Sequence, residues 1–207
     1  MTPFIIPNMY RQLNKLPKKE ISVNSNYYDY MEDLWAHHEP GYEAFYAWAR
    51  QRCEGEVADL GCGSGVVGKK LNASYYYDFI QSFEGVQELD LTKEIKGPLK
   101  GKTFVLSHVL EHLNKPKKTL ANLFDILESG NRLIISVPDG NVIESTAIPY
   151  NQYIPKNDAT GKHIHHVYAW TTADLFNTLN EQGWDQIDIA TANVCGFACI
   201  WALAEKP

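Results

Sequence analysis

The stretch covering residues 56–68 constrains the fold of this chain more than any other part of the sequence. Residues 57–60 have the pattern of a short buried strand, and residues 66–71 have that of the start of a helix. Glycine occupies every second position of the turn between them. Such a unit directs backbone N–H groups and a helix N-terminus towards a ligand, and glycine allows that ligand to approach closely. The stretch therefore predicts a nucleotide or nucleoside site in an α/β sheet.

Two ligand classes fit this turn. Gly63, Gly65 and Gly68 satisfy the dinucleotide spacing, and Asp78 follows at about the right distance for a ribose. Asp59 favours a different ligand, because a carboxylate just ahead of the turn repels a pyrophosphate and attracts a cation. A turn that merely joins strand to helix is the third alternative.

The composition bounds the class of protein. A chain of 207 residues with 44% hydrophobic and 21% charged residues predicts one domain with an ordinary core. The net charge of −6 argues against non-specific nucleic-acid binding. The longest apolar run, residues 194–204, is too short to cross a bilayer, and the N-terminus lacks a signal-peptide pattern. The four cysteines form no Cys-x-x-Cys pair, which argues against a zinc site of the usual kind. We expect reduced thiols in a cytoplasmic protein with no membrane partner.

Strand-like and helix-like segments alternate along most of the chain. The connection over residues 79–85 is too short for an ordinary crossover helix. Thr171 opens the last helix with a cap, and Gly130 is expected as the left-handed cap of the helix before it. Strands are predicted over residues 57–60, 74–77, 86–89, 103–107, 132–137, 186–191 and 196–204, with helices over 41–52, 66–71, 116–127 and 172–182.

This alternation predicts an α/β fold with a single doubly wound, mostly parallel, seven-stranded sheet that ends in an antiparallel hairpin. We expect one domain over residues 1–207, with an N-terminal arm or lid over 1–40 and the core over 41–207. The aromatic segment at residues 27–38 either closes the core or covers the ligand. The long connection over residues 141–168 is of the kind that is usually functional.

Four motifs carry a resemblance to a known family. They are Asp-x-Gly-x-Gly-x-Gly from Asp59, VLEHL at 109–113, ESGNRLIISVPDG at 128–140 and HHVYAWTTADLFNTLNEQGW at 165–184. They resemble the class I S-adenosylmethionine-dependent methyltransferases, in the small-molecule branch of the type 11/12/23-like domains. The resemblance implies a Rossmann-like methyltransferase fold, from which this chain departs by a reduced region between the second and third strands. It also implies S-adenosyl-L-methionine as the cofactor.

Carried over by position, the resemblance implies a set of cofactor-binding residues. The glycine turn and Asp59 would hold the methionine end, Asp78 the ribose, and Asp90 with the backbone after it the adenine. Because the region after Asp78 is short, Glu84 or Glu88 is an alternative ribose acid. The full predicted set is Asp59, Gly61, Cys62, Gly63, Gly65, Asp78, Asp90, Leu91, Ser107 and His108.

The residues after the fourth strand and the histidines of the long connection would line the methyl-transfer face. A neutral imidazole suits proton removal near neutral pH. His163, His165 and His166, with Glu111 and His112, also have a spacing that divalent metals accept, and purely structural histidines are a third alternative. We predict no metal, and a catalytic set of His112, His165, His108 and Glu111.

The activity implied by the resemblance is methyl transfer to an oxygen or nitrogen of a small metabolite or sugar. No Asn/Asp-Pro-Pro-Tyr motif follows the fourth strand, and no Pro-Cys dipeptide supplies a nucleophile for cytosine methylation. We therefore expect a small molecule or glycan as substrate rather than a nucleic acid. Two alternatives stay open: a degenerate cofactor-binding or interaction protein, and another reaction of the same cofactor, such as lyase chemistry or aminopropyl transfer.

Overall fold

The computed structural model describes residues 42–140, 168–194 and 197–207. The described part contains seven strands and four helices of one turn or more, with a short 3-10 turn at Leu110–His112. The strands are Val57–Leu60 (β1), Tyr75–Asp78 (β2), Val86–Glu88 (β3), Thr103–Ser107 (β4), Arg132–Pro138 (β5), Asp185–Val194 (β6) and Phe197–Glu205 (β7). The helices are residues 42–50 (α1), Val66–Lys70 (α2), Pro116–Ile126 (α3) and Thr172–Glu181 (α4).

All seven strands form one sheet, in the order β3-β2-β1-β4-β5-β7-β6. The first five strands are parallel to one another, whereas β7 runs antiparallel to both β5 and β6. The predicted doubly wound sheet with a terminal hairpin is therefore confirmed. Because the carboxyl ends of the parallel strands share one edge, the loops after β1, β2, β3 and β4 gather there, as expected for a ligand site.

The core lies on both faces of the sheet, because alternate residues of each strand point to opposite sides. Val105 and Ile134 join the cluster beneath α1 and α2, which also contains Phe45 and Trp201. Neighbouring strand residues, such as Leu106, pack instead against α3 and α4. That second cluster includes Phe104, Leu120, Leu123, Leu133, Ile135, Leu175 and Leu179.

The connection between β2 and β3 is short and contains no helix, as predicted. Residues 79–85 cross directly to β3, which pairs in parallel with β2 through Tyr76 opposite Val86. Gly85 has a φ of 95°, a left-handed conformation that glycine adopts without a steric penalty. The chain therefore makes this parallel connection with a turn where a crossover helix is the usual solution.

One predicted cap is wrong and one is confirmed. Helix α3 ends at Ile126 because Leu127 is already extended, so Gly130 is not its cap. Gly130 instead has a φ of 73° in the turn before β5, and its N–H donates to the carbonyl of Lys206. At the start of α4 the Thr171 side chain accepts a hydrogen bond from the Asp174 N–H, 3.0 Å away.

Thr171→Ala is expected to lower the free energy of unfolding by about 1 kcal/mol, because the Asp174 N–H loses its acceptor at the helix N-terminus. Denaturant unfolding of the purified protein measures the difference. Thr172→Ala, at the first position of the same helix, is the matched control and is expected to stay within about 0.5 kcal/mol of wild type. Equal effects of the two changes would contradict the capping role.

Among the residues that the structure describes, no helix has the length and hydropathy needed to cross a membrane.

Candidate active site

The glycine turn lies at the carboxyl edge of the sheet, between β1 and α2. Gly61, Gly63 and Gly65 have φ values of 71°, 53° and 79°, so all three occupy the left-handed region. The N–H groups of Gly61 and Cys62 both donate to the Tyr77 carbonyl, at 2.7 and 3.0 Å, which fixes the turn against β2. The turn therefore lies at the edge where α/β sheets bind ligands, with Gly61, Gly63 and Ser64 half-buried and Cys62 and Gly65 buried.

Asp59 is buried beneath this turn. Its side chain is on the face covered by α2, where Oδ2 accepts a hydrogen bond from the Gly68 N–H at 2.8 Å. Burial raises the pKa of Asp59, the Gly68 N–H lowers it and the charge of Asp78 raises it further, to about 7. A Cβ on Gly68 would lie 2.4 Å from the Tyr76 ring, so this glycine serves close packing of helix against strand.

Asp78 ends β2 and supports the glycine turn directly. Its Oδ2 accepts from the Gly63 N–H at 2.8 Å, and its Oδ1 accepts from the Ile80 N–H at 3.2 Å. Glu84 and Glu88, the alternative ribose acids, are both exposed. Of these three carboxylates, Asp78 is therefore the one that the structure places at the turn.

The β2–β3 connection packs on the glycine turn. The Ser82 hydroxyl donates to the Gly63 carbonyl, and the Phe83 ring lies so close to Gly65 that a Cβ there would be 2.8 Å from Cζ.

Cys62, within the turn, is 7% exposed, and burial followed by the charges of Asp59 and Asp78 raises the pKa of its thiol. The thiol therefore stays protonated at neutral pH.

Asp90 follows β3 and forms a local turn. Its Oδ1 accepts from the N–H and hydroxyl of Thr92, at 3.0 and 2.5 Å, and its Oδ2 lies 3.1 Å from the Lys93 ammonium. Burial raises the pKa of Asp90, but these hydrogen bonds and the Lys93 charge lower it more. The next residue, Leu91, is buried, and its carbonyl accepts from the Thr119 hydroxyl at 2.8 Å.

His108 immediately follows β4 and has a φ of 54°, which is uncommon for a residue with a side chain. Its N–H donates to the Ser136 carbonyl at 2.8 Å. Its Nδ1 lies 3.0 Å from Oε1 of Glu111, and its Nε2 lies 3.1 Å from the Tyr42 hydroxyl. The structure thus brings together two predicted catalytic residues, His108 and Glu111, and adds Tyr42 to them.

The electrostatics of His108 depend on its partners. Burial lowers the pKa of the imidazole, but hydrogen bonds with Cys199 and Glu111, together with the charges of those two groups, raise it to about 10. Glu111 is 1% exposed, so the His108–Glu111 contact is a buried ion pair. The other predicted histidine of this segment, His112, is 29% exposed and has its Nε2 4.0 Å from Oε1 of Glu111.

Ser107 lies at the end of β4, opposite Ser136 of β5. Its Oγ is buried and has no hydrogen-bond partner in the part of the chain that the structure describes. His163, His165 and His166 fall outside the described residues. Across residues 42–140, 168–194 and 197–207, no group of His, Cys, Asp and Glu side chains is arranged to hold a metal ion.

Tyr42 and Cys199 are neighbours of His108 that sequence reasoning missed. Tyr42 is 66 positions from His108, and Cys199 comes from β7 at the other end of the chain. No local motif marks either residue, since only the order of the strands brings α1, β4 and β7 together. The cysteines among the described residues, Cys53, Cys62 and Cys199, are all unbridged.

The glycine turn and the segment after β4 are in direct contact. A Cβ on Gly61 would lie 2.7 Å from Cγ2 of Val109, so the Val109 side chain packs on the turn. The edge of the sheet therefore brings together the glycine turn, the buried carboxylates Asp59 and Asp78, and the Ser107 hydroxyl, which has no hydrogen-bond partner among the described residues. These groups fit a ligand that has a cationic end and a hydroxylated sugar.

This sheet order, with an antiparallel strand between β5 and the edge and a glycine turn after β1, defines the class of Rossmann-like methyltransferase domains. The chain belongs to the methyltransferase-domain family, whose model matches residues 36–188. S-adenosyl-L-methionine is the cofactor of this domain, and the groups at the sheet edge fit it.

Solved structures share the fold at low sequence identity. A methyltransferase from Thermotoga maritima, described as a possible histamine N-methyltransferase, is 12% identical with a TM-score of 0.67, covering 88% of this chain and 98% of its own. The 1,6-didemethyltoxoflavin-N1-methyltransferase of Burkholderia thailandensis, solved with S-adenosylhomocysteine, is 15% identical with a TM-score of 0.58. The match covers 100% of this chain and 92% of that enzyme. The [4+2]-cyclase SpnF is 11% identical with a TM-score of 0.55, and the match covers 79% of this chain and 80% of SpnF. The search of curated proteins gave no match.

Proposed function

We propose that this domain transfers a methyl group from S-adenosyl-L-methionine to an oxygen or nitrogen of a small metabolite or sugar. The observation that supports the proposal is the contact between Val109 and Gly61, by which the segment from His108 to His112 adjoins the glycine turn. Catalytic candidates and cofactor-binding groups thus share one edge of the sheet. The bound cofactor supplies an electrophilic methyl group, and the protein has to align the acceptor and accept its proton.

The described residues divide into groups that hold the cofactor and groups that face the acceptor. The glycine turn, with Asp59 beneath it, would hold the methionine end, and Asp78 would hold the ribose. Asp90 and the Leu91 backbone, after β3, would contact the adenine. The end of β4 at Ser107 would border the methyl group.

His112 is the better placed of the two described histidines to accept a proton. It is 29% exposed, whereas the His108 side chain is 13% exposed and its two ring nitrogens contact Glu111 and Tyr42. Its Nε2 lies 4.0 Å from Oε1 of Glu111, whose negative charge stabilises the imidazolium formed on proton transfer. His165, the other proposed base, lies outside the described residues and stays a prediction.

Calorimetric titration with S-adenosylhomocysteine and, separately, NAD tests the cofactor site. Wild type is expected to bind S-adenosylhomocysteine with a micromolar Kd and to show no heat with NAD. Asp78→Ala is expected to weaken binding by about 10- to 100-fold, because a charge-assisted hydrogen bond is lost. Asp125→Ala, which removes an exposed carboxylate on α3, is the matched control and should bind as wild type does. Binding of NAD alone would contradict the proposal.

The packing of Ser82 and Phe83 on the turn favours one alternative, a degenerate binding or interaction protein. In that case wild type binds neither S-adenosylhomocysteine nor NAD, and the Phe83→Ala variant, in which the ring no longer covers Gly65, binds neither as well. The fold also supports the other alternative, a different reaction, since the similar SpnF is a [4+2]-cyclase. Mass analysis of products made from methyl-labelled cofactor separates methyl transfer from lyase or aminopropyl chemistry. The unbridged cysteines fit a cytoplasmic enzyme.

A further inference from the structure

Three polar side chains from separate elements converge just beyond the end of β4. Tyr42 comes from α1, His108 from the loop after β4, and Glu111 from the 3-10 turn. The imidazole lies between the other two, with Nδ1 3.0 Å from the carboxylate and Nε2 3.1 Å from the phenol oxygen. The Tyr42 ring also meets the imidazole edge-on, with 5.5 Å between centroids. We call this group the Tyr42–His108–Glu111 array.

The array combines two features that are unfavourable for the stability of the fold. A residue other than glycine is uncommon in the left-handed region and is strained there, and His108 has a φ of 54°. A buried ion pair is often no more stabilising than apolar residues of similar volume. Here both features occur together, at the loop whose next residue, Val109, packs on the cofactor turn. Packing alone does not account for them, which indicates a role in the site.

The neighbours of the imidazole decide its charge. Glu111 faces Nδ1, Tyr42 faces Nε2, Cys199 and Ser136 approach from β7 and β5, and His112 lies beyond Glu111. Of these groups Glu111 is the buried acid, at 1% exposure. In the doubly protonated form, both ring N–H groups donate, one to the Glu111 carboxylate and one to the Tyr42 oxygen. Such an imidazole has no basic nitrogen left with which to take a proton from an acceptor.

Resting on the methyltransferase function proposed above, we propose that Tyr42 is a positioning residue of the site: with Glu111 it fixes His108 as a doubly donating imidazolium beside the glycine turn. His108 then contributes a fixed orientation and a positive charge at the acceptor side, and proton removal falls to His112. The division explains why two histidines that both approach Oε1 of Glu111 differ in exposure, at 13% for His108 and 29% for His112. It also gives α1, which is remote in sequence, a direct part in the site.

Imidazole ¹⁵N spectra of the full chain, recorded from pH 5.5 to 9.5 with and without S-adenosylhomocysteine, test the proposal. His108 is expected to remain doubly protonated up to at least about pH 8.5, because Glu111 faces its Nδ1 and the Tyr42 oxygen faces its Nε2. Glu111→Gln is expected to lower the pKa of His108 by about two units, because the nearby negative charge is lost. Tyr42→Phe is expected to keep the charge but to lose the slowly exchanging Nε2 proton.

Tyr46→Phe is the matched control, since Tyr46 lies one turn along α1, with its ring centroid 6.4 Å from that of Tyr42. It should leave the His108 signals unchanged. A His108 that titrates like a free imidazole while S-adenosylhomocysteine still binds would overturn this inference and leave the proposed function standing. A doubly protonated His108 in a protein that binds no nucleoside would overturn the proposed function instead. If Glu111→Gln fails to fold, the Tyr42→Phe spectrum decides on the positioning role.

Discussion

Gly61→Ala is expected to destabilise the fold by about 2 to 4 kcal/mol and to weaken S-adenosylhomocysteine binding with it. Two effects add. The residue has a φ of 71°, which a side chain rarely adopts, and its Cβ would lie 2.7 and 3.0 Å from the two methyl groups of Val109. Val109 is β-branched and therefore stiff, so the contact cannot be relieved by a simple rotation. Denaturant unfolding and calorimetric titration measure the two losses.

A second glycine and a double variant separate the backbone effect from the contact. Gly97 has a φ of 85°, and a Cβ there would meet nothing within 4 Å, so Gly97→Ala should cost only the backbone term of about 1 kcal/mol. Val109→Ala should partly rescue Gly61→Ala, with a coupling of about 1 kcal/mol or more in a double-mutant cycle. Additive effects of the two changes would show that the loop after β4 does not press on the glycine turn.

Asp59→Asn is expected to change how stability depends on pH. The folded protein raises the pKa of Asp59 from 3.8 to about 7, so between these values it binds the proton more tightly than the unfolded chain. The free energy of unfolding of wild type therefore falls by up to about 4 kcal/mol as the pH rises from about 4 to about 7, because the folded protein must then ionise Asp59 in its buried site. Above that range Asp59 causes no further loss. Asparagine keeps an oxygen for the Gly68 N–H and has no charge to bury. The free energy of unfolding of Asp59→Asn should therefore rise relative to that of wild type between about pH 4 and 7.

Unfolding free energies of both proteins, measured at intervals from pH 4 to 9, give the difference curve directly. Carboxylates with a lowered pKa, such as Asp90, make the fold more stable as the pH rises. Both proteins contain them, so their effect cancels when one curve is subtracted from the other. Asp125→Asn, at an exposed site of α3, is the control and should give a flat difference. A flat curve for Asp59→Asn as well would mean that Asp59 is ionised as easily in the fold as in water.

The sequence predicted what depends on local order. The strand, turn and helix around Gly61 follow from residue types within a dozen positions, and so does the Thr171 cap. His108 and Glu111 were both candidates because they directly follow the fourth strand, in the segment that resembles the methyltransferases. Family resemblance supplied the class of cofactor, which periodicity alone could not. The reduced connection before β3 could also be read from its length.

What the sequence did not predict depends on distance in the chain and on burial. Tyr42 is 66 positions from His108, and Cys199 approaches it only because β7 pairs with β5. The charge states of Asp59 and His108 depend on how deeply each group is buried and on which charges face it, and neither is visible in a motif. The misplaced cap at Gly130 has a similar origin, since that glycine forms its turn with Lys206 of the C-terminal segment.

The position of β7 has a consequence for how this sheet is assembled during synthesis. β7 follows every other strand in sequence, yet in the sheet it lies between β5 and β6, with Arg132 opposite Glu205 at one end and Pro138 opposite Cys199 at the other. Until it emerges from the ribosome, β5 presents an unpaired edge of seven residues, an edge of the kind that promotes aggregation. A nascent chain that ends within β6 should therefore bind chaperones that capture exposed strands. A chain that also contains β7 should not, because β7 then pairs with β5.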